Sequence, residues 1–124
     1  MIKRFIFVLL FSMFCHAAFA STNTFECIYK TYSDEEGNHK EKDNFAMSFL
    51  VDPAARKAYM LGSLGSTEVK LIQNTGGFTF VEVTGTGNVM VTVISDDGRT
   101  VHSRNGIVLG KIVPSQYYGR CKKK

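Results

Sequence analysis

Few side chains in this 124-residue chain have the type and spacing that chemistry requires. His39 lies among Glu35, Glu36 and Glu41, a set of nitrogen and oxygen donors of the kind that binds a divalent ion. Such donors must be held on a rigid scaffold, and Asp34–Asp43 reads as a solvated hairpin loop, so no metal and no cofactor is expected. His102 beside Ser103 has the composition of a base and a nucleophile. Neighbours on a strand point to opposite faces, so the pair cannot pass a proton. Asp96 and Asp97 are paired carboxylates, but they sit in a Ser-Asp-Asp-Gly turn without a pocket. Gly85-Thr86-Gly87 is too short for a dinucleotide fingerprint and falls in a hairpin. Gly-x-Ser-x-Gly, His-Glu-x-x-His and phosphate-loop motifs are missing. No catalytic residue is assigned, and a non-enzymatic protein is expected.

The cysteines carry more information. Residues 1–20 begin with Lys3 and Arg4, continue through the apolar run Phe5–Phe14, and end in Ala18-Phe19-Ala20. This is the pattern of a secretory signal peptide with cleavage after Ala20. The run is shorter than the roughly 20 apolar residues of a membrane span. Cys15 leaves with the leader, so the remaining Cys27 and Cys121 form an even pair in an exported chain, and a disulfide between them is expected. Residues 21–124 then make a single domain, periplasmic or secreted.

The elements that position these residues are strands. Phe78–Thr84 and Asn88–Ser95 are rich in β-branched and aromatic residues and flank a Gly-rich connection, a hairpin signal. On both sides the chain alternates with a period of two. Phe25, Cys27, Tyr29 and Thr31 share one face, and so do Phe45, Met47, Phe49 and Val51. Turns recur at Asp52–Arg56, Gly62–Gly65, Thr75–Gly77 and Ser95–Gly98. Pro114 is read as a break in the ladder before a last strand, Ser115–Cys121. No helical period appears after residue 20. The expected fold is all-β, a small eight-stranded antiparallel up-and-down (meander) barrel closed by one disulfide. Lys30, Glu68 and Lys70 on outward faces exclude a lipid-embedded barrel.

Phe45, Phe49, Tyr59, Phe78 and Phe80 suffice to fill a barrel of this size. Glu82 shares a face with Phe78 and Phe80. If that face is inward, Glu82 needs a partner such as Arg99, Arg104 or Tyr118. The preferred reading puts Val81 and Val83 inward and Glu82 on the surface. His102, on the face of Thr100 and Arg104, is read as outward.

The formal charge is +4, of which Lys3 and Arg4 belong to the leader, and the remaining basic excess sits at Arg120 and Lys122–Lys124. Without a clustered basic face there is no case for nucleic acid. With a filled core, function falls to the surface. Two segments are candidates: Ser63–Thr67, with Ser63 and Gly65, and Val113–Gly119, with Ser115, Gln116, Tyr117 and Tyr118. Exposed tyrosines are good anchors for a protein partner. The alternative is a lipocalin-like carrier of a small apolar ligand. No membrane span is expected after cleavage, and the domain is read as a monomer.

The opening Phe25-Glu26-Cys27, the closing Tyr118-Gly119-Arg120-Cys121, and the segments Lys57–Val69 and Val83–Met90 resemble a group of small uncharacterised secreted bacterial and phage proteins. More distantly, size and architecture are similar to periplasmic inhibitors of C-type lysozyme, eight-stranded barrels that insert a loop into the enzyme's cleft. Their Ser-Gly and Tyr-x-x-x-Thr-Lys-Gly motifs are echoed loosely by Ser63-Leu64-Gly65 and Ser115-Gln116-Tyr117, and this chain has no tryptophan. The resemblance implies an envelope protein that binds a protein partner, a lysozyme in its sharpest form.

Overall fold

The computed structural model describes residues 21–63 and 65–124. The leader and its cleavage site therefore lie outside the described residues, as does Leu64. The described residues form eight strands: β1 (Asn23–Asp34), β2 (Gly37–Asp52), β3 (Lys57–Gly62), β4 (Gly65–Asn74), β5 (Gly77–Val83), β6 (Val89–Ser95), β7 (Arg99–Val108) and β8 (Lys111–Lys123). Each pairs antiparallel with the next, and β8 returns to β1, closing the barrel. Closure leaves the sheet without a long unpaired edge. Cys27 and Cys121 are direct partners across the β1–β8 seam and are joined by a disulfide.

Alternation decides what fills the interior. Cys27, Tyr29, Met47, Phe49, Val51, Ala58, Val69, Phe80 and Ile94 are buried, with Phe25, Phe45, Met60, Leu71, Phe78 and Tyr117 packed against them. Phe49 and Phe80 stack across the lumen, ring centroids 4.5 Å apart. Tyr59 is not part of this filling. Val51 pairs with Ala58, so Ala58 and Met60 take the inner face of β3 and Tyr59 the outer.

Direct cross-strand partners form rings around the wall. One runs Phe80, Thr92, His102, Tyr117, Tyr32, His39. The row above it runs Glu82, Met90, Arg104, Ser115. The row below runs Phe78, Ile94, Thr100, Gly119, Tyr29, Phe45. Gly119 is required there. A Cβ at that position would overlap the Ile28 carbonyl and Tyr29 Cα.

Three local expectations are corrected. Asp34–Asp43 is not a long loop: β1 runs to Asp34, Glu35 and Glu36 form a tight turn, and β2 starts at Gly37, so Lys40, Glu41, Lys42 and Asp43 decorate a strand. A register shift between Tyr29 and Thr31 turns Tyr32 to the inner face, which the unbroken alternation of the sequence assigns to the outside. β8 runs through Pro114, which pairs with Asn105. Pro114 lies beyond the last β1–β8 pair, Ser33 with Gln116, so its missing N–H costs no bond on that side.

Candidate functional site

The turns joining β1 to β2, β3 to β4, β5 to β6 and β7 to β8 crowd one end of the barrel. A mouth of about 480 Å³ opens there. Its lining includes Tyr32, Asp34, Met90, Arg104, Ser115 and Tyr117. The interior beneath is nearly solid, with a void of about 10 Å³ among Met47, Phe49, Phe80, Glu82, Thr92 and His102.

His102 is 1% exposed, not outward as its sequence neighbours suggest. Thr100, His102 and Arg104 do share a face, but it is the inner one. Arg104 Nε donates to His102 Nε2 at 3.0 Å. That nitrogen is therefore the acceptor, so Nδ1 carries the proton and donates to Thr92 Oγ1 at 2.7 Å. Burial first, and the Arg104 charge second, push the His102 pKa down to about 4. At neutral pH this is an uncharged histidine that holds its neighbours in place.

Arg104 is half-buried on the floor of the mouth. Its guanidinium carbon lies 4.8 Å from the Phe45 ring centroid and 5.3 Å from that of Tyr117. Such stacking holds the planar cation in one orientation. Tyr117 in turn stacks on Tyr32 at 5.2 Å, and Tyr32 on His39 at 4.9 Å. His39 Nε2 donates to Asp34 Oδ1 at 2.8 Å. That bond and one from the Glu36 N–H hold the Asp34 carboxyl below its usual range. Burial, then the charges of Asp34 and Glu41, push the Tyr32 hydroxyl up.

Glu82 also points in, against the preferred sequence reading. Phe80 is buried on its face, whereas Val83 is 67% exposed. Its Oε2 is buried and has no hydrogen-bond partner, so none of Arg99, Arg104 and Tyr118 supplies one.

The six residues singled out from the sequence do not converge. Ser115 and Tyr117 line the mouth. Gln116 and Tyr118 point the other way, onto the outer wall, in a chain of hydrogen bonds. The Tyr118 hydroxyl donates to Gln116 Oε1 at 2.8 Å, and Gln116 Nε2 donates to Ser103 Oγ at 3.1 Å. Ser63 and Gly65 flank the β3–β4 turn at the same end, but they are not part of the mouth.

Sequence reasoning passed over the most exposed feature, the β7–β8 tip. β6 pairs with β7 only as far as Asn105, and β1 with β8 only as far as Gln116. The hairpin beyond these points is a two-stranded tongue. Ile107 is 66% exposed, Ile112 73% and Leu109 99%. Leu109 and Gly110 both have positive φ, 50° and 77°, as a two-residue hairpin turn demands. Asn88 props the base, its Oδ1 accepting from the Ile107 N–H at 3.1 Å. The available signal was the run Ile107-Val108-Leu109, apolar without alternation and next to a glycine.

Among the described residues, no group of three or more histidine, cysteine or acidic side chains is placed to hold a metal ion. Comparison with protein-family models, curated proteins and solved structures gives no match.

Proposed function

We propose that this is an exported, non-enzymatic binding protein that engages a protein partner by inserting the β7–β8 tongue into a cleft. One observation carries the reading: Ile107, Val108, Leu109, Ile112 and Val113 are all exposed on a single protruding hairpin. Exposed apolar surface concentrated in one place marks an interaction site. A narrow tongue suits a concave partner better than a flat one. Rigid strands below it and the Asn88 prop limit the entropy lost on binding. Pro114 at the base blunts the exposed edge against pairing with a second copy.

The sharpest version is a lysozyme-type cleft, as the family resemblance implies. The site of action is then the periplasm or the exterior. A carrier of a small apolar ligand is less well supported, because the side chains of Phe49, Phe80 and their neighbours occupy the lumen.

Native mass spectrometry with a C-type lysozyme tests the reading. A 1:1 complex that is lost in Leu109→Asp is the expected result. A complex retained by Leu109→Asp removes the tongue from the interface. The absence of any complex removes the lysozyme version.

A further inference from the structure

We propose that the barrel mouth is a binding site for a carboxylate, held end-on by the Arg104 guanidinium. Three observations converge on it. The cation is built in, not dangling: it lies over Phe45 and Tyr117, and its Nε is committed to His102. The two terminal nitrogens are the remaining arms of the fork, and a fork of this shape matches the two oxygens of a carboxylate. Second, among the described residues no acidic group lies within ion-pair distance of Arg104. Asp34, which also lines the mouth, is already engaged by His39 Nε2 and the Glu36 N–H. Third, the surroundings suit such a ligand. Ser115 is the cross-strand partner of Arg104 and the Tyr32 ring stacks beside it on Tyr117, both bringing hydroxyls. Met90, Val108, Val113 and Pro114 supply apolar walls.

The ligand class is thus a carboxylate with a small apolar body. Two sources share that chemistry, a free organic acid and the C-terminus of a peptide. The site shares Val108 and Val113 with the tongue but not the tip residue Leu109, so Leu109→Asp and Arg104→Gln test the two readings separately.

Benzoate and its neutral analogue benzamide are the first probes, titrated to about 20 mM and followed by ¹⁵N-resolved NMR at the Arg104 Nε–H and the Ser115 and Tyr117 amides. Saturable shifts with benzoate and none with benzamide are expected. Arg104→Gln should abolish them. Arg104→Lys, which keeps the charge and loses the fork, should weaken binding about ten-fold. Equal response to both probes, no response to benzoate in the wild-type protein, or undiminished shifts in a folded Arg104→Gln protein overturns the assignment. A tripeptide with a free and with an amidated C-terminus distinguishes the sources. Binding of the free form more tightly than benzoate assigns a peptide terminus, and the reverse order assigns a free acid.

Discussion

Arg104 Nε donates to His102 Nε2 across 3.0 Å, which ties the charged floor of the mouth to a histidine sealed in the barrel. The bond needs a neutral imidazole, so its strength depends on pH. The folded His102 titrates near 4, while an unfolded histidine titrates near 6.5. Between those values the unfolded chain holds the extra proton. The contribution of His102 is complete above about 6.5 and is lost as pH falls towards about 4, in total on the order of 3 kcal/mol. Urea unfolding between pH 7 and 4 should show this loss, and His102→Gln should flatten it. An equal decline in His102→Gln would assign it to other groups. Asp97, held to about 2 chiefly by the Ser95 hydroxyl, acts in a separate, lower window. Its effect begins below about 3.8.

The Tyr29 hydroxyl reaches Thr100 Oγ1 at 3.0 Å from across Gly119, which lies between them in the register. Burial pushes that phenol up to about 12. Thr100→Val should cost about 1–3 kcal/mol by stranding a buried hydroxyl, whereas Tyr29→Phe with Thr100→Val should cost less than the two singles summed. Additive losses in a double-mutant cycle would mean the bond contributes nothing. Gly119→Ala should destabilise by about 1–3 kcal/mol or more, because the new methyl meets strand backbone.

Glu82 is expected to lower stability. Its Oε2 is buried without a partner beside Met60, Phe80 and Met90. Glu82→Met replaces it with an apolar side chain of similar length and should raise stability by about 1–2 kcal/mol. A lower thermal midpoint in Glu82→Met would show that the carboxylate makes a compensating interaction.

The disulfide spans 94 residues of sequence. Its loss should cost about 2–5 kcal/mol. Unfolding of the Cys27→Ser, Cys121→Ser protein against the oxidised wild type measures this, and equal midpoints would show that the seam is held by its ladder alone.

Strand periodicity was legible because each strand has one packed face. Phe45, Met47, Phe49 and Val51 read directly as an inner stripe, and the even cysteine pair named the seam. The direction of a face was harder to read. On β7 the inner face is Thr100, His102 and Arg104, so polarity pointed the wrong way there, and on β6 both faces are partly apolar, so composition gave no direction although Thr92 and Ile94 are the buried ones. The polar residues are tolerated inside because they bond to one another, which composition does not reveal. The turn before Gly37 and the shift after Tyr29 were hidden for a related reason: charged strands pair as well as apolar ones when their side chains face water.

The sequence by itself determined an all-β meander with eight strands and a Cys27–Cys121 link, because alternation, turn chemistry and cysteine parity are local or countable properties. Only the tertiary structure decided which face of each strand is interior, that Arg104 lies over the adjoining Phe45 and Tyr117 rings at a mouth, and that Ile107, Leu109 and Ile112 are exposed beyond the last pairs of the wall. Those facts depend on register and strand length around a closed barrel. Each pairing constrains the next, and no single segment of the chain contains that information.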